Sequence, residues 1–533
     1  MRLGIDFGTT RTVVAACDRG NYPVLSFNTP RGDTQEFFPS MIAEKDGELR
    51  FGFDAQEKRG EPGWSLAPSF KRWLSSPEAT PGHRVRVGSL ELPLLDVMAR
   101  YLEALKQAIW TSSNLPSTAP RIPLEATIAT PANAFSTQRL VTLEAFRRAG
   151  FQVLSMLNEP SAAGVEYAHR YRNTLNSKRE KVLVYDLGGG TFDVSLVDMQ
   201  GKAHDVMTSH GLNRLGGDDF DDVLAGLALA QAKLQRSALS PPSLLELGQH
   251  CRDLKEAINP NTRKIHVELG RSLTPADRAE LRVAEHQIEV VPVDAFDAAC
   301  APLLDRTLAL VRLTLGGVTL SNGDIDFGGD GAGEDGAAKE IAGVYVVGGA
   351  SALPAVARGL RVAYGRRVRR SPYPSGAIAI GLAIAADEAA EYELRDRFHH
   401  SLGVFREVHN GLQIGFDRII GPETAVPPAG GKPLQLSRRY RATHNVGHFR
   451  FIECGWLDDY GHPSGDIKPF ADVLFPFDPK LRGHSDLSRV PIARTPVEGP
   501  EIEERYSISE YGSVELTISD RSSGYEQNYR IAG

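Results

Sequence analysis

Two stretches decide the fold of this chain: Leu3-Gly4-Ile5-Asp6-Phe7-Gly8-Thr9-Thr10-Arg11-Thr12-Val13-Val14-Ala15-Ala16 and Val182-Leu183-Val184-Tyr185-Asp186-Leu187-Gly188-Gly189-Gly190-Thr191-Phe192-Asp193-Val194-Ser195-Leu196-Val197. Each reads as an apolar strand that ends on an aspartate, a glycine turn with a threonine, and a second apolar strand. Two copies of one hairpin, about 180 residues apart, predict an α/β domain built from two duplicated lobes. The stretches 93–110 and 137–150 carry apolar residues at three- and four-residue spacing and read as helices, with Gly150 as a stop.

Chemistry follows from the turns. A Gly-Thr-Thr turn after a strand lets backbone N–H groups approach phosphate oxygens, and the hydroxyls of Thr9 and Thr10 add donors. Gly188-Gly189-Gly190-Thr191 offers the same from the other lobe. Asp6 and Asp186 stand just before those turns, where a carboxylate suits a magnesium ion that keeps most of its waters. Asp193 is a further carboxylate of this kind. A third turn, Gly348-Gly349-Ala350, follows the apolar run Val346-Val347 and lets backbone pack against a flat nucleoside.

The composition is that of a globular chain. Of 533 residues, 41% are hydrophobic and 24% charged, so a core forms without disulfides. The four cysteines, Cys17, Cys251, Cys300 and Cys454, are scattered and lack zinc spacing. The charge of −7, from 60 basic and 67 acidic residues, disfavours nucleic acid as a partner. The apolar run Ala377–Ala386 is too short for a bilayer span, and the first six residues leave no room for a signal peptide, so the expectation is a cytoplasmic protein with no membrane partner. Residues 321–340 are acidic and glycine-dense and read as a flexible surface loop. Asp324, Asp326, Asp330 and Glu334 offer oxygens to calcium there, without a regular loop spacing. Beyond residue 386 alternating strands replace helical periodicity, as in Leu412–Phe416, Phe449–Phe451 and Val514–Ile518, and predict an all-β sandwich.

Taken together these motifs resemble the actin-like ATPase superfamily, and within it the seventy-kilodalton heat-shock chaperones, the DnaK-like proteins. Further segments carry the resemblance: Ala129-Thr130-Pro131-Ala132 with Gln138-Arg139, Asn158-Glu159-Pro160-Ser161-Ala162-Ala163-Gly164, Leu215-Gly216-Gly217-Asp218-Asp219-Phe220-Asp221, and Ser69-Phe70-Lys71-Arg72. It extends over the whole chain with a few gaps, since Ser401-Leu402-Gly403-Val404 and Ser519–Gln527 are similar to the start and end of that family's substrate-binding sandwich. The resemblance implies an ATPase domain over 1–388, a linker over 389–400 and a sandwich over 401–533. It implies ATP and ADP as ligands, with magnesium organised by Asp6, Asp186 and Asp193 and potassium nearby. Lys71 would position the attacking water, Glu159 would hold the metal's water shell, and Thr191 and Thr10 would bond phosphate. Gly8, Thr9, Arg11, Gly188, Gly189, Gly190, Gly216, Gly217, Asp218, Lys255, Gly348, Gly349 and Ala350 would complete the nucleotide site. Implied partners are extended or unfolded polypeptides, a J-domain co-chaperone and a nucleotide-exchange factor.

Three departures qualify the resemblance. Ala352 stands where the family has an arginine that stacks on the base. Lys255 is kept, but Arg252 occupies a glutamate's place and Glu256 a basic or apolar one, so nucleotide is expected to bind more weakly than is usual. The linker Glu391–His400 is charged with a single leucine, so coupling between the domains is expected to be weak. The sequence ends with the expected sandwich, so a substrate-binding region lacking the family's helical lid is the expectation. A polar stretch, Asp458–Asp466, and a proline-rich insert, Val490–Pro500, are expected to cover or remodel the groove, for which Val404, Phe405, Val426, Leu434, Leu436 and Phe449 are candidates. Two other readings stay open: a non-hydrolysing nucleotide-bound scaffold, and a small-molecule kinase on the same fold, which leaves residues 401–533 unexplained.

Overall fold

The computed structural model describes every residue except 77–78, 116–121, 176–179, 201–202, 213, 317–340, 396, 410–411, 429, 496–497 and 533. The acidic 321–340 stretch and its calcium reading therefore lie outside the described residues.

Both hairpins form, and each sits at the centre of a mixed sheet. In the first sheet Arg2–Phe7 pairs antiparallel with Arg11–Ala16 and parallel with Glu125–Thr130, which pairs parallel with Gln152–Asn158. In the second, Lys181–Leu187 pairs antiparallel with Phe192–Gln200 and parallel with Ile341–Val347, which pairs parallel with Val368–Arg370. The order of parallel and antiparallel neighbours is thus the same in both sheets. Ala203–Leu212 extends the second sheet beyond Phe192–Gln200.

The apolar run Ala377–Ala386 is a ten-residue helix, buried along nearly its whole length. Among the described residues no helix is long and apolar enough to cross a membrane. The helix crosses strand Arg2–Phe7 and helix Glu159–Tyr171 at backbone contact. A Cβ at Gly4 would lie 2.2 Å from the Ala379 carbonyl oxygen, and one at Gly381 would lie 1.8 Å from that of Ala162. Only glycine permits this approach, and it fixes the floor beneath the first turn.

Residues 401–533 are β-rich. One four-stranded antiparallel sheet holds Ser401–Val408, Gln413–Ile420, Val446–Leu457 and Pro463–Pro476; the other holds Leu434–Arg441, Glu501–Ile508, Val514–Asp520 and Tyr525–Ala532. Both supply one apolar cluster, including Val404, Phe449, Phe451, Tyr506 and Leu516. Arg406 of the first sheet reaches Glu504 of the second by two hydrogen bonds of 2.9 and 2.7 Å. Of the groove candidates, Val404 and Phe449 are buried in this cluster, Leu434 and Leu436 pack against it, and Phe405 is exposed.

The stretch expected to be the linker adds an edge strand to the second sheet. Glu393–Arg395 pairs parallel with Ala203–Asp205, and the Arg397 guanidinium takes both oxygens of Asp205 at 2.8 and 2.6 Å. A charged sequence does not prevent this, because edge pairing uses backbone groups.

Candidate active site

The two glycine turns face each other. A Cβ at Gly189 would lie 2.6 Å from the Thr10 hydroxyl oxygen, and one at Gly190 would lie 2.9 Å from the Thr9 methyl carbon. Between them opens a cleft of about 270 Å³. Its walls bring together nearly all residues expected from the sequence: Asp6, Gly8, Thr9, Thr10, Arg11, Lys71, Glu159, Asp186, Gly188, Gly189, Thr191, Gly217, Asp218, Lys255, Gly348, Gly349 and Ala350. Gly190, Asp193 and Gly216 stand behind this lining. Asp193 pairs with Asp186 across the hairpin. The Gly190 carbonyl accepts a hydrogen bond from Arg72 at 3.4 Å. Gly216 opens the helix Gly217–Gln231, and its N–H is capped by Asp219 at 2.8 Å.

At the inner end of the cleft lies a nest of carboxylates around one ammonium. Lys71 Nζ is 3.3 Å from Glu159 Oε1, with both side chains buried, and lies 5.5 Å from the centre of the Phe7 ring. Burial and the neighbouring Glu159 carboxylate push Asp6 up to about 7 against the opposing pull of Lys71. The same causes push Asp193 up to about 8. Asp186 is raised well above the ordinary carboxylate range by burial and by Glu159, Asp193 and Asp6 together. One lysine does not balance Asp6 and the three buried acids Glu159, Asp186 and Asp193, so the nest favours a further cation. Among the described residues no three His, Cys, Asp or Glu side chains converge closely enough to ligate one ion directly. Asp6, Asp186 and Glu159 line this end of the cleft, and carboxylate oxygens of this kind suit a magnesium ion that keeps most of its waters.

The outer end differs from the sequence expectation in how its charges are spent. Lys255 is buried, 2.6 Å from Asp221 and 2.6 Å from the Gly217 carbonyl oxygen. Arg252 pairs with Asp218 at 2.5 Å and Asp221 at 3.3 Å, and Arg72 reaches Asp218 at 3.2 Å. Arg11 is ion-paired with Glu256 across the cleft mouth, with its guanidinium 4.4 Å from the centre of the Phe37 ring. Ala352, Leu353, Ile258, Pro374 and Ile378 complete this end. Sequence reasoning missed Arg72 and Asp221 as parts of the site. Both lie inside quoted motifs, but only their long-range partners mark them.

Comparison with known proteins gives the same answer as the two turns. The Hsp70 protein family model matches residues 91–404, more than half of the chain. The chain belongs to the Hsp70 family. Its relatives include the chaperone protein HscA homologs of Burkholderia thailandensis (30% identical over 452 residues), Burkholderia ambifaria (30% over 449) and Burkholderia pseudomallei (29% over 449). Each match covers 80% of this chain and 65% of the relative's own length. Membership in the Hsp70 family carries the actin-like ATPase fold for the domain that holds the cleft.

In this Hsp70-family chain the β-rich region sits directly against the part that holds the cleft. Glu453 accepts hydrogen bonds from the Ser136 N–H (3.0 Å) and hydroxyl (3.1 Å), at the start of helix Ser136–Arg148, where an anion is favoured. Its cross-strand neighbour Lys468 donates to the Ala79 carbonyl oxygen at 3.0 Å and to the Thr137 hydroxyl at 2.6 Å. Asn158, the residue before Glu159, accepts from Arg139 at 2.8 Å and lies 3.2 Å from His399 of the linker.

Proposed function

We propose that this protein is an ATP-dependent, chaperone-like protein that hydrolyses ATP in its N-terminal domain and binds extended polypeptide segments in its C-terminal β-rich region. The two N-terminal sheets are read as duplicated lobes and the two C-terminal sheets as a sandwich. One arrangement carries the reading: Lys71, held by Glu159, faces a buried excess of carboxylates where two glycine-threonine turns meet.

The Gly8 and Gly188 N–H groups close the turns on the Asp6 and Thr191 carbonyls, the N–H groups that follow them bind phosphate oxygens, and the hydroxyls of Thr10 and Thr191 add donors. Lys71 orients and polarises the attacking water. Asp6, Asp186 and Asp193, with Glu159, would hold magnesium and its water shell, and potassium would sit in the same acidic surroundings. When bound, magnesium supplies neutralisation of phosphate charge. Phosphoryl transfer of this kind needs positioning and charge stabilisation more than covalent chemistry. A J-domain co-chaperone and a nucleotide-exchange factor are the partners this cycle calls for, and the cytoplasm is its setting. The resemblance of the relatives, chaperones by name, supports the same reading.

A non-hydrolysing scaffold, with nucleotide as a structural ligand, is the second reading. It is favoured by Lys255, Arg252 and Arg11, all engaged by carboxylates at the nucleoside end. Steady-state turnover with magnesium and potassium, with and without unfolded polypeptide, separates the two. Slow turnover that polypeptide stimulates and Lys71→Ala abolishes supports the ATPase. Nucleotide binding with no turnover supports the scaffold.

A further inference from the structure

The β-rich region binds part of its own chain. After strand Pro463–Pro476 the chain returns in an extended run, Pro491-Ile492-Ala493-Arg494-Thr495, along the loop Thr443–Asn445 that joins the two C-terminal sheets. The Asn445 N–H donates to the Ala493 carbonyl at 3.1 Å and the Thr495 N–H to the Thr443 carbonyl at 2.8 Å. His444 and Arg494 form an antiparallel bridge between these bonds. The Asn445 side chain adds two bonds, accepting from the Ala493 N–H at 2.8 Å and donating to the Pro491 carbonyl at 3.1 Å. Arg494 then reaches Glu407 of the neighbouring sheet at 3.4 Å, beside His444 at 3.5 Å from the same carboxylate.

The contacts described for this run are hydrogen bonds and one ion pair at the surface. The side chains from Pro491 to Arg494 are exposed, and Ile492 keeps 48% of its surface open. Surface hydrogen bonds without apolar burial are weak and easily exchanged for others. Beside the Glu407 carboxylate the same face exposes apolar side chains. Phe405 and Glu407 alternate onto one side of their strand, opposite Phe416 and Ile414 of the next, and Phe405 and Ile414 are exposed.

We propose that Pro491–Thr495 is a displaceable internal strand, which occupies the backbone edge of Thr443–Asn445 and the Glu407 carboxylate in place of an extended polypeptide and competes with it. The inference rests on the polypeptide-binding reading above. An external segment with an apolar residue to cover Phe405 and Ile414, and a basic residue for Glu407, gains contacts the internal strand does not make.

The test uses a fluorescently labelled peptide of this chain's own sequence, Arg489 to Thr495, and a permanently unfolded polypeptide. Their binding is measured to the full chain, to Arg494→Glu, and to a chain whose residues 490–495 are replaced by a Gly-Ser run of equal length. Melting curves check that both variants are folded. The expected result is binding at least about tenfold tighter to both variants. In the unaltered chain, amide exchange at Ala493 and Thr495 should rise when polypeptide is added. That exchange readout stands even if a variant fails to fold. Binding to the unaltered chain with equal affinity for the variants and unchanged exchange overturns the internal strand alone. No binding by any of the three chains overturns the polypeptide reading with it.

Discussion

Gly348 shows how closely single residues set the cleft. Its backbone lies at φ +84°, and a Cβ there would stand 2.4 Å from Asp186 Oδ1. Gly348→Ala therefore strains the turn and displaces a carboxylate of the acidic nest. Calorimetric titration should show nucleotide affinity reduced more than tenfold, with a lower melting temperature. Glu256 acts in the opposite sense. It holds Arg11 in an ion pair at the cleft mouth and places a negative charge at the nucleoside end. Glu256→Gln releases the guanidinium to stack on a base, and nucleotide should bind more tightly by ~0.5–2 kcal/mol. An unchanged affinity in the same titration would show that Arg11 plays no part in holding the base.

Between elements, the informative contacts join the β-rich region to the nucleotide domain. Glu453 and Lys468 are cross-strand neighbours, 3% and 1% exposed, whose partners lie on the other domain. Glu453→Ala leaves the buried Ser136 N–H and hydroxyl without their acceptor, which costs about 1–3 kcal/mol. Glu453→Ala should therefore open the interface rather than unfold either domain. Limited proteolysis should then cut the linker at a protease concentration that spares the unaltered chain. The linker itself carries a second expectation. Its strand is paired through the backbone along Ala203–Asp205, so ATP-dependent protection of residues 389–400 reads out docking directly. Identical cleavage with and without ATP would support the weak coupling expected from its charged sequence.

For the molecule as a whole, acid is the sharpest probe. His204 is 2% exposed, neither ring nitrogen has a hydrogen-bond partner among the described residues, and burial pushes it down to about 4. The folded state keeps it neutral, while the unfolded chain takes up a proton below pH ~6.5. Its contribution is complete above that pH and is lost as pH falls toward 4, amounting to roughly 2 kcal/mol at pH 5. His204→Leu should flatten the fall in melting temperature between pH 6.5 and 5 if it folds. A slope equal to that of the unaltered chain would assign the acid loss to other groups.

Much of this was legible before any fold was known. A glycine turn after an aspartate-ended strand is a local device, set by which residues tolerate close backbone approach. Asp6, Thr9, Thr10, Gly188 and Gly189 could therefore be named from their neighbours in sequence, as could Lys71 and Glu159 from the motifs around them. The buried helix Ala377–Ala386 was visible only as an apolar run, since its role depends on Gly4 and Gly381 meeting other backbones. The fate of the charges was not legible at all. Arg11 and Glu256, Lys255 and Asp221, Glu453 and Ser136, and Arg494 and Glu407 are far apart in sequence, and each pairing exists only because folded elements bring the partners together. Sequence alone determined which glycine turns and which acids stand at the strand ends that line the cleft, because backbone sterics act over a few residues. Tertiary structure decided which charges remain for a ligand and which parts of the chain bind each other, because electrostatic pairing acts through space.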